Sequence, residues 1–140
     1  MPAEILNAAA LRERYLTEAI QTATPATRLV MVLDKLELDL HRADQAFESG
    51  DLKEVNDNLV HAQEILLALR GTMQVDLWEG APRVVALYDY LHNELLHANI
   101  DKDRARAVAA TEHITALAGA WRQAAAATSE PLVEVAGGVA

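Results

Sequence analysis

Four long stretches of this chain repeat apolar residues at alternating spacings of three and four, the period of one face of an α-helix. Leu29, Val32, Leu33, Leu36, Leu40, Ala43 and Phe47 make the first such face. Leu52, Val55, Leu59, Ala62, Leu66 and Leu69 make the second and most regular one. A third runs through Val84, Leu87, Tyr88, Leu91, Leu95 and Ala98. The last holds Ala107, Val108, Thr111, Ile114, Leu117, Ala118, Trp121 and Ala125. Composition agrees with this periodicity: 27 Ala and 20 Leu, both strong helix formers, stand against ten Gly and Pro together and six aromatics. An all-β chain needs more turn residues and more β-branched or aromatic side chains. The expected class is all-α.

Local signals mark the helix ends. Thr24 can accept from free amides as an N-cap, and Pro25 suits the first helical position. That helix is predicted to run to about Phe47, where Ser49-Gly50-Asp51 breaks it and Gly50 can take the left-handed cap. Asp51 with Glu54 resembles a capping box. Gly71 closes the next helix, and residues 72–80 form the longest predicted loop. The following helix starts near Pro82, and Asn99 to Asp101 are expected as a turn with Asp101 as N-cap. Short turns make consecutive helices antiparallel neighbours, so the predicted fold is an antiparallel four-helix bundle. Residues 4–23 read as an additional short N-terminal helix. With almost no linker before Thr24, it is expected to fold back over one end or one groove of the bundle. Residues 1–127 form a single predicted domain, and 128–140, with a Pro and a Gly-Gly pair, a flexible tail.

Several functions are excluded at this level. Without cysteine there is no disulfide framework, thiolate metal site or thiol chemistry. A formal charge of −9, with no Lys/Arg cluster, argues against nucleic acid or an anionic membrane as partner. The first residues carry Glu4, Arg12, Glu13 and Arg14 and lack the apolar core of a signal peptide. No stretch approaches the roughly 20 apolar residues that span a bilayer. A soluble cytoplasmic protein is expected. The one metal-like pattern is Glu94-x-x-His97, the i, i+3 pair of di-iron bundles. Those sites need the pair twice, and here it occurs once. The five histidines are dispersed, and no glycine-rich phosphate loop is present. The reading is a non-enzyme without cofactor. A more informative feature is apolar excess: Val84, Val85, Ala86, Leu87, Tyr88, Tyr90, Leu91, Leu95 and Leu96 cover more of one helix than a bundle core requires. Either the N-terminal helix fills the surplus as a fifth core helix, or it leaves a groove for a partner helix.

Particular residues then suggest a family. Tyr15-x4-Ile20-x-Thr22-Ala23-Thr24-Pro25 resembles the N-terminal signature of the FliS family, usually Y-x4-V-x-T-A-S-P. Met31-Val32-Leu33-Asp34 matches in part that family's Met-Leu-aromatic-Asp block. Ala86-Leu87-Tyr88-Asp89-Tyr90, then Leu95-Leu96-x-Ala98-Asn99, Asp103 and Trp121 continue the match in order and spacing. The resemblance spans residues 15 to about 123. It departs at Leu33 and Lys35, where the family carries an aromatic and a glycine, and at Trp78-Glu79-Gly80, which replaces a Gly-Gly.

The resemblance implies a flagellar secretion chaperone. Proteins of this family bind the disordered C-terminal segment of flagellin, which becomes helical around them and stays unavailable for assembly until export. Flagellar export-gate components are further partners it suggests; it needs no nucleotide, metal or membrane insertion. By the same resemblance Tyr15, Thr24 and Pro25 lie at the client surface. Tyr88 and Tyr90, two apart on a helix, cannot share a face; one is expected inside and the other available to a client. Leu29, Met31, Leu33, Leu87 and Leu91 line a groove or the core. Asn99 is expected to brace its turn, and Trp121 to fill the core. A di-iron-like metal bundle and a structural helical dimerisation module stand as alternatives.

Overall fold

The computed structural model describes residues 8–15, 24–73 and 79–139, with side chains through residue 127. A short helix, α1, covers residues 8–15. It is followed by α2 (Pro25–Ser49), α3 (Leu52–Gly71), α4 (Ala81–Asp101) and α5 (Arg104–Val139). Among the described residues there is no strand. The helices α2 to α5 close a ring in which each packs on its neighbours in sequence and α5 returns to α2. This is the antiparallel bundle that the short connections require.

The core follows from the stripes. Leu33, Leu36, Leu40, Val55, Leu59, Leu66, Leu91, Leu95 and Ile114 are buried in one cluster with Tyr88. Each such leucine taken out of water contributes roughly 1.5–3 kcal/mol before entropy. Between them sit Ala43, Ala62, Ala98, Ala107, Ala110 and Ala118, all buried. Small side chains at contact positions let helix axes approach closely, which gives the alanine content a packing role beyond propensity.

The caps form where the sequence places them. Thr24 Oγ1 accepts from the Thr27 amide at 3.1 Å, and Pro25 opens α2. Gly50 takes φ +76°, and the Asp51 amide bonds back to the Ala46 carbonyl at 2.9 Å, a Schellman closure. Asp51 Oδ1 then accepts from the Glu54 amide at 3.2 Å and starts α3. The α4–α5 turn repeats this design with Lys102 at φ +51° and the Asp103 amide bonded to the Ala98 carbonyl at 2.9 Å. Here the sequence reading needs correction. Asp101 is the last residue of α4, and Asp103, one residue beyond the left-handed Lys102, accepts from the Arg106 amide at 3.1 Å.

Other expectations shift as well. Val32, Leu52 and Val108 belong to the predicted apolar faces but are exposed. Leu52 is the first residue of α3, and Val32 and Val108 sit at the edges of their stripes, over shallow surface depressions. The backbone of α5 continues as helix to Val139, past residue 127 where the sequence suggests a loose tail. Of the predicted N-terminal helix, residues 4–7 and 16–23 lie outside the described residues. The eight residues of α1 are all exposed, so none of these eight fills the core.

Candidate partner-binding surface

The structure divides the sequence-predicted contact residues into a buried group and two exposed groups. Leu33, Tyr88 and Leu91 belong to the core cluster, and Leu29 and Leu87 pack partly buried against it. Tyr88 is 2% exposed and Tyr90 is 51% exposed, so of the two tyrosines Tyr88 is the one packed inside. Burial pushes the Tyr88 hydroxyl pKa up, with the nearby Trp121 indole partly offsetting it. Trp121 packs partly buried against the core.

The first exposed group lies at the start of the bundle. Thr24 and Pro25 are exposed at the α2 N-terminus, and Met31 is exposed one to two turns further on. Arg28, Met31, Val32 and Lys35 surround an apolar depression there of about 270 Å³. Tyr15, at the end of the described part of α1, is 72% exposed. The second group is Tyr90 on α4, whose ring meets His113 of α5 edge-on at 6.2 Å between centroids. Since α2 and α4 are not neighbours in the ring, Met31 and Tyr90 occupy different faces.

Glu94 is occupied by a cation of the protein's own. Arg106 Nε donates to its Oε2 at 2.7 Å and Nη2 to its Oε1 at 3.1 Å. Bonding from this guanidinium holds the Glu94 carboxyl below the usual glutamate range. Among the described residues no cluster of three or more histidines and carboxylates is placed to hold a metal ion. Asn99 braces the end of α4 as expected, donating to Asn56 Oδ1 at 2.9 Å and accepting from Lys102 Nζ at 2.5 Å.

Sequence reasoning missed two polar features. Asp39, 2% exposed, is held between α2 and α3 by His61 Nδ1 and by Lys35 Nζ, the latter at 3.0 Å. Its signal was an aspartate three residues from Leu36 and four from Ala43, inside the apolar face. The second is the α2–α5 seam. Arg122 Nη2 donates to Asp34 at 2.5 Å and Glu37 at 3.0 Å, while Arg104 bonds Asp44 through two nitrogens at 2.8 and 3.2 Å. Nothing in the local period announces such partners 60 to 88 residues apart.

Two comparisons bear on this surface. A family model described as "Flagellar protein FliS" matches residues 7–128. The flagellar secretion chaperone FliS of Bacillus subtilis (strain 168) is 31% identical over 110 residues, covering 79% of this chain and 82% of that protein.

Proposed function

The chain belongs to the FliS family of flagellar secretion chaperones, and from that premise we propose that it binds the C-terminal segment of flagellin in the cytosol. The bound segment folds against the bundle, is withheld from polymerisation and remains competent for export. One observation carries the reading: Tyr15, the first residue of the family signature, stands 72% exposed on a helix that buries none of its residues against the bundle. A large aromatic left in water at a signature position is suited to a partner. Thr24, Pro25 and Met31 extend that surface along α2, with Leu29 at its buried margin. Tyr90, with Leu87 half-buried near it on α4, offers a second contact for a segment long enough to wrap the bundle.

Leu33, Tyr88 and Leu91 enter this reading as the support beneath the surface, since their burial keeps them from a client unless the core opens. Residues 1–127 constitute the client-binding unit, and 128–140 are dispensable to it. Export-gate components receive the loaded complex. Coupled folding of the client gives up part of the interaction energy to ordering, which keeps the complex releasable.

The test is calorimetry and circular dichroism with a flagellin C-terminal peptide. Binding at or below tens of micromolar with a gain in helix is expected. No heat and no added helicity at that concentration would sink the reading. Tyr15→Ala should weaken binding several-fold while leaving the thermal melt unchanged; an unfolded variant would instead make Tyr15 part of the core.

A further inference from the structure

We propose that α5 is a hinged lid on this bundle, swinging off α2 and α4 as a unit about its first turn while the other three helices stay folded. The packing of α5 sets it apart. Helix α2 buries Leu33, Leu36 and Leu40, α3 buries Val55, Leu59 and Leu66, and α4 buries Tyr88, Leu91 and Leu95. Among the described side chains of α5 the buried ones are Ala107, Ala110, Ile114 and Ala118. Only one of these four is large, and apolar burial stabilises in proportion to area. Helix α5 therefore contributes least to the shared core. Its seam with α2 is also incompletely filled. A groove of about 490 Å³ runs there beside Leu40, with Val108, Thr111 and Thr115 along the α5 side. Helix α3, by contrast, packs on both α2 and α4 and keeps them together without α5.

Polar contacts mark a hinge and a latch. At the start of α5, Asp103 accepts from the Arg106 amide, and the Arg106 side chain grips Glu94 of α4. Arg104 holds Asp44 of α2 through two nitrogens. These anchors fix the end of α5 that adjoins the Lys102 turn. Toward the other end, two adjacent residues fasten it to both neighbours. The Trp121 indole lies beside the Tyr88 hydroxyl of α4, and Arg122 donates to Asp34 and Glu37 of α2. Between hinge and latch, no ion pair joins α5 to another helix among the described residues. The latch is accessible to ions: the Arg122 side chain is 39% exposed and that of Asp34 57%. Salt screens such pairs. A shaft of alanines fastened by charge at its free end is a lid whose opening responds to ionic strength. The inference rests on packing alone and not on the identity of any client.

The test is native-state hydrogen exchange of the full chain, followed residue by residue by NMR in low denaturant. Amides of residues 110–118 are expected to exchange together. Their opening should be at least about tenfold more populated than the one that releases the amides of Leu59, Leu66 and Leu91. It should also depend less on denaturant, because it exposes less surface than global unfolding. Raising sodium chloride from about 0.05 to 0.5 M should populate it several-fold more. Arg122→Gln should raise it about three- to fivefold at low salt and remove most of the salt response. His61→Ala, which loosens the α2–α3 contact alone, should speed exchange in α3 and leave residues 110–118 unchanged. Equal protection and one denaturant slope for α3 and α5 would make the four helices a single cooperative unit and overturn the proposal. So would a His61→Ala variant in which both helices speed up equally, or an α5 opening indifferent to both salt and Arg122→Gln.

Discussion

Arg106 and Glu94 meet through two parallel hydrogen bonds, at 2.7 and 3.1 Å, that tie the first turn of α5 to the last third of α4. The pair takes the position that sequence alone offers to a metal, and makes it a helix clamp. Its pH dependence has a definite sign. The Glu94 pKa is depressed in the fold by Arg106, so its contribution is fully present above the unfolded glutamate value near 4.3 and is lost as pH falls through the folded value. Glu94→Gln should therefore lower the midpoint of thermal unfolding at pH 7, and the difference from wild type should shrink below about pH 4. A difference that persists unchanged at pH 3 contradicts the clamp.

The same carboxylate predicts metal content. Protein purified without chelator should carry no stoichiometric iron or manganese by elemental analysis, and Arg106→Ala should not create a site. One metal per chain would instead restore the di-iron-like alternative.

Two tyrosines on one helix should behave oppositely. Tyr88→Ala removes a buried ring and is expected to cost about 3–5 kcal/mol in denaturant unfolding. Tyr90→Ala should stay within about 0.5 kcal/mol of wild type and show its effect in client binding. Equal losses of stability would mean that the face of α4 has been misassigned.

Caps give smaller, local effects. Thr24→Ala removes the acceptor for the Thr27 amide and should cost about 1 kcal/mol. Gly50→Ala places a side chain at φ +76° and should cost about 1–2 kcal/mol, although space around the position is open. Chemical denaturation of both variants checks this, and a neutral Gly50→Ala would show that the turn relaxes.

The buried carboxylate is more consequential. His61→Ala leaves Asp39 with Lys35 alone inside the α2–α3 contact. It should destabilise by more than about 1 kcal/mol, beyond what a half-exposed histidine ordinarily costs. Asp39→Asn combined with His61→Ala should lose less than the sum of the single changes, since the two share one interaction.

The parts of this fold that were legible in the sequence are those decided locally. Thr24-Pro25 and Gly50-Asp51 carry their cap chemistry within four residues, so α2 and α3 begin and end close to where they are expected. The period of Leu59, Leu66, Leu91 and Leu95 names the core without reference to any partner. Exposure of Val32, Leu52 and Val108 depends instead on how far a neighbouring helix reaches, and a helical period does not hold that information. Asp101 and Asp103 both suit an N-cap; only the left-handed Lys102 between them decides which is used. At the candidate site, motif resemblance gathers packing and recognition residues into one block. Leu33, Tyr88 and Leu91 therefore stood beside Tyr15, Met31 and Tyr90 until burial separated them. Interhelical pairs such as Arg122 with Asp34 were invisible because the bundle alone brings them together.

The two-residue turns at Gly50 and Lys102 both lie at one end of the bundle, whereas α3 joins α4 at the other end through residues 72–80. The molecule is thus built as two clips whose tight bends share one end. The two clips are joined by backbone only through residues 72–80, at the end where Thr24 leads in, and no backbone ties one bend to the other. Each bend keeps its own two helices in register, while the register of one clip against the other rests on the shared core and on ion pairs such as Arg122 with Asp34 and Arg104 with Asp44.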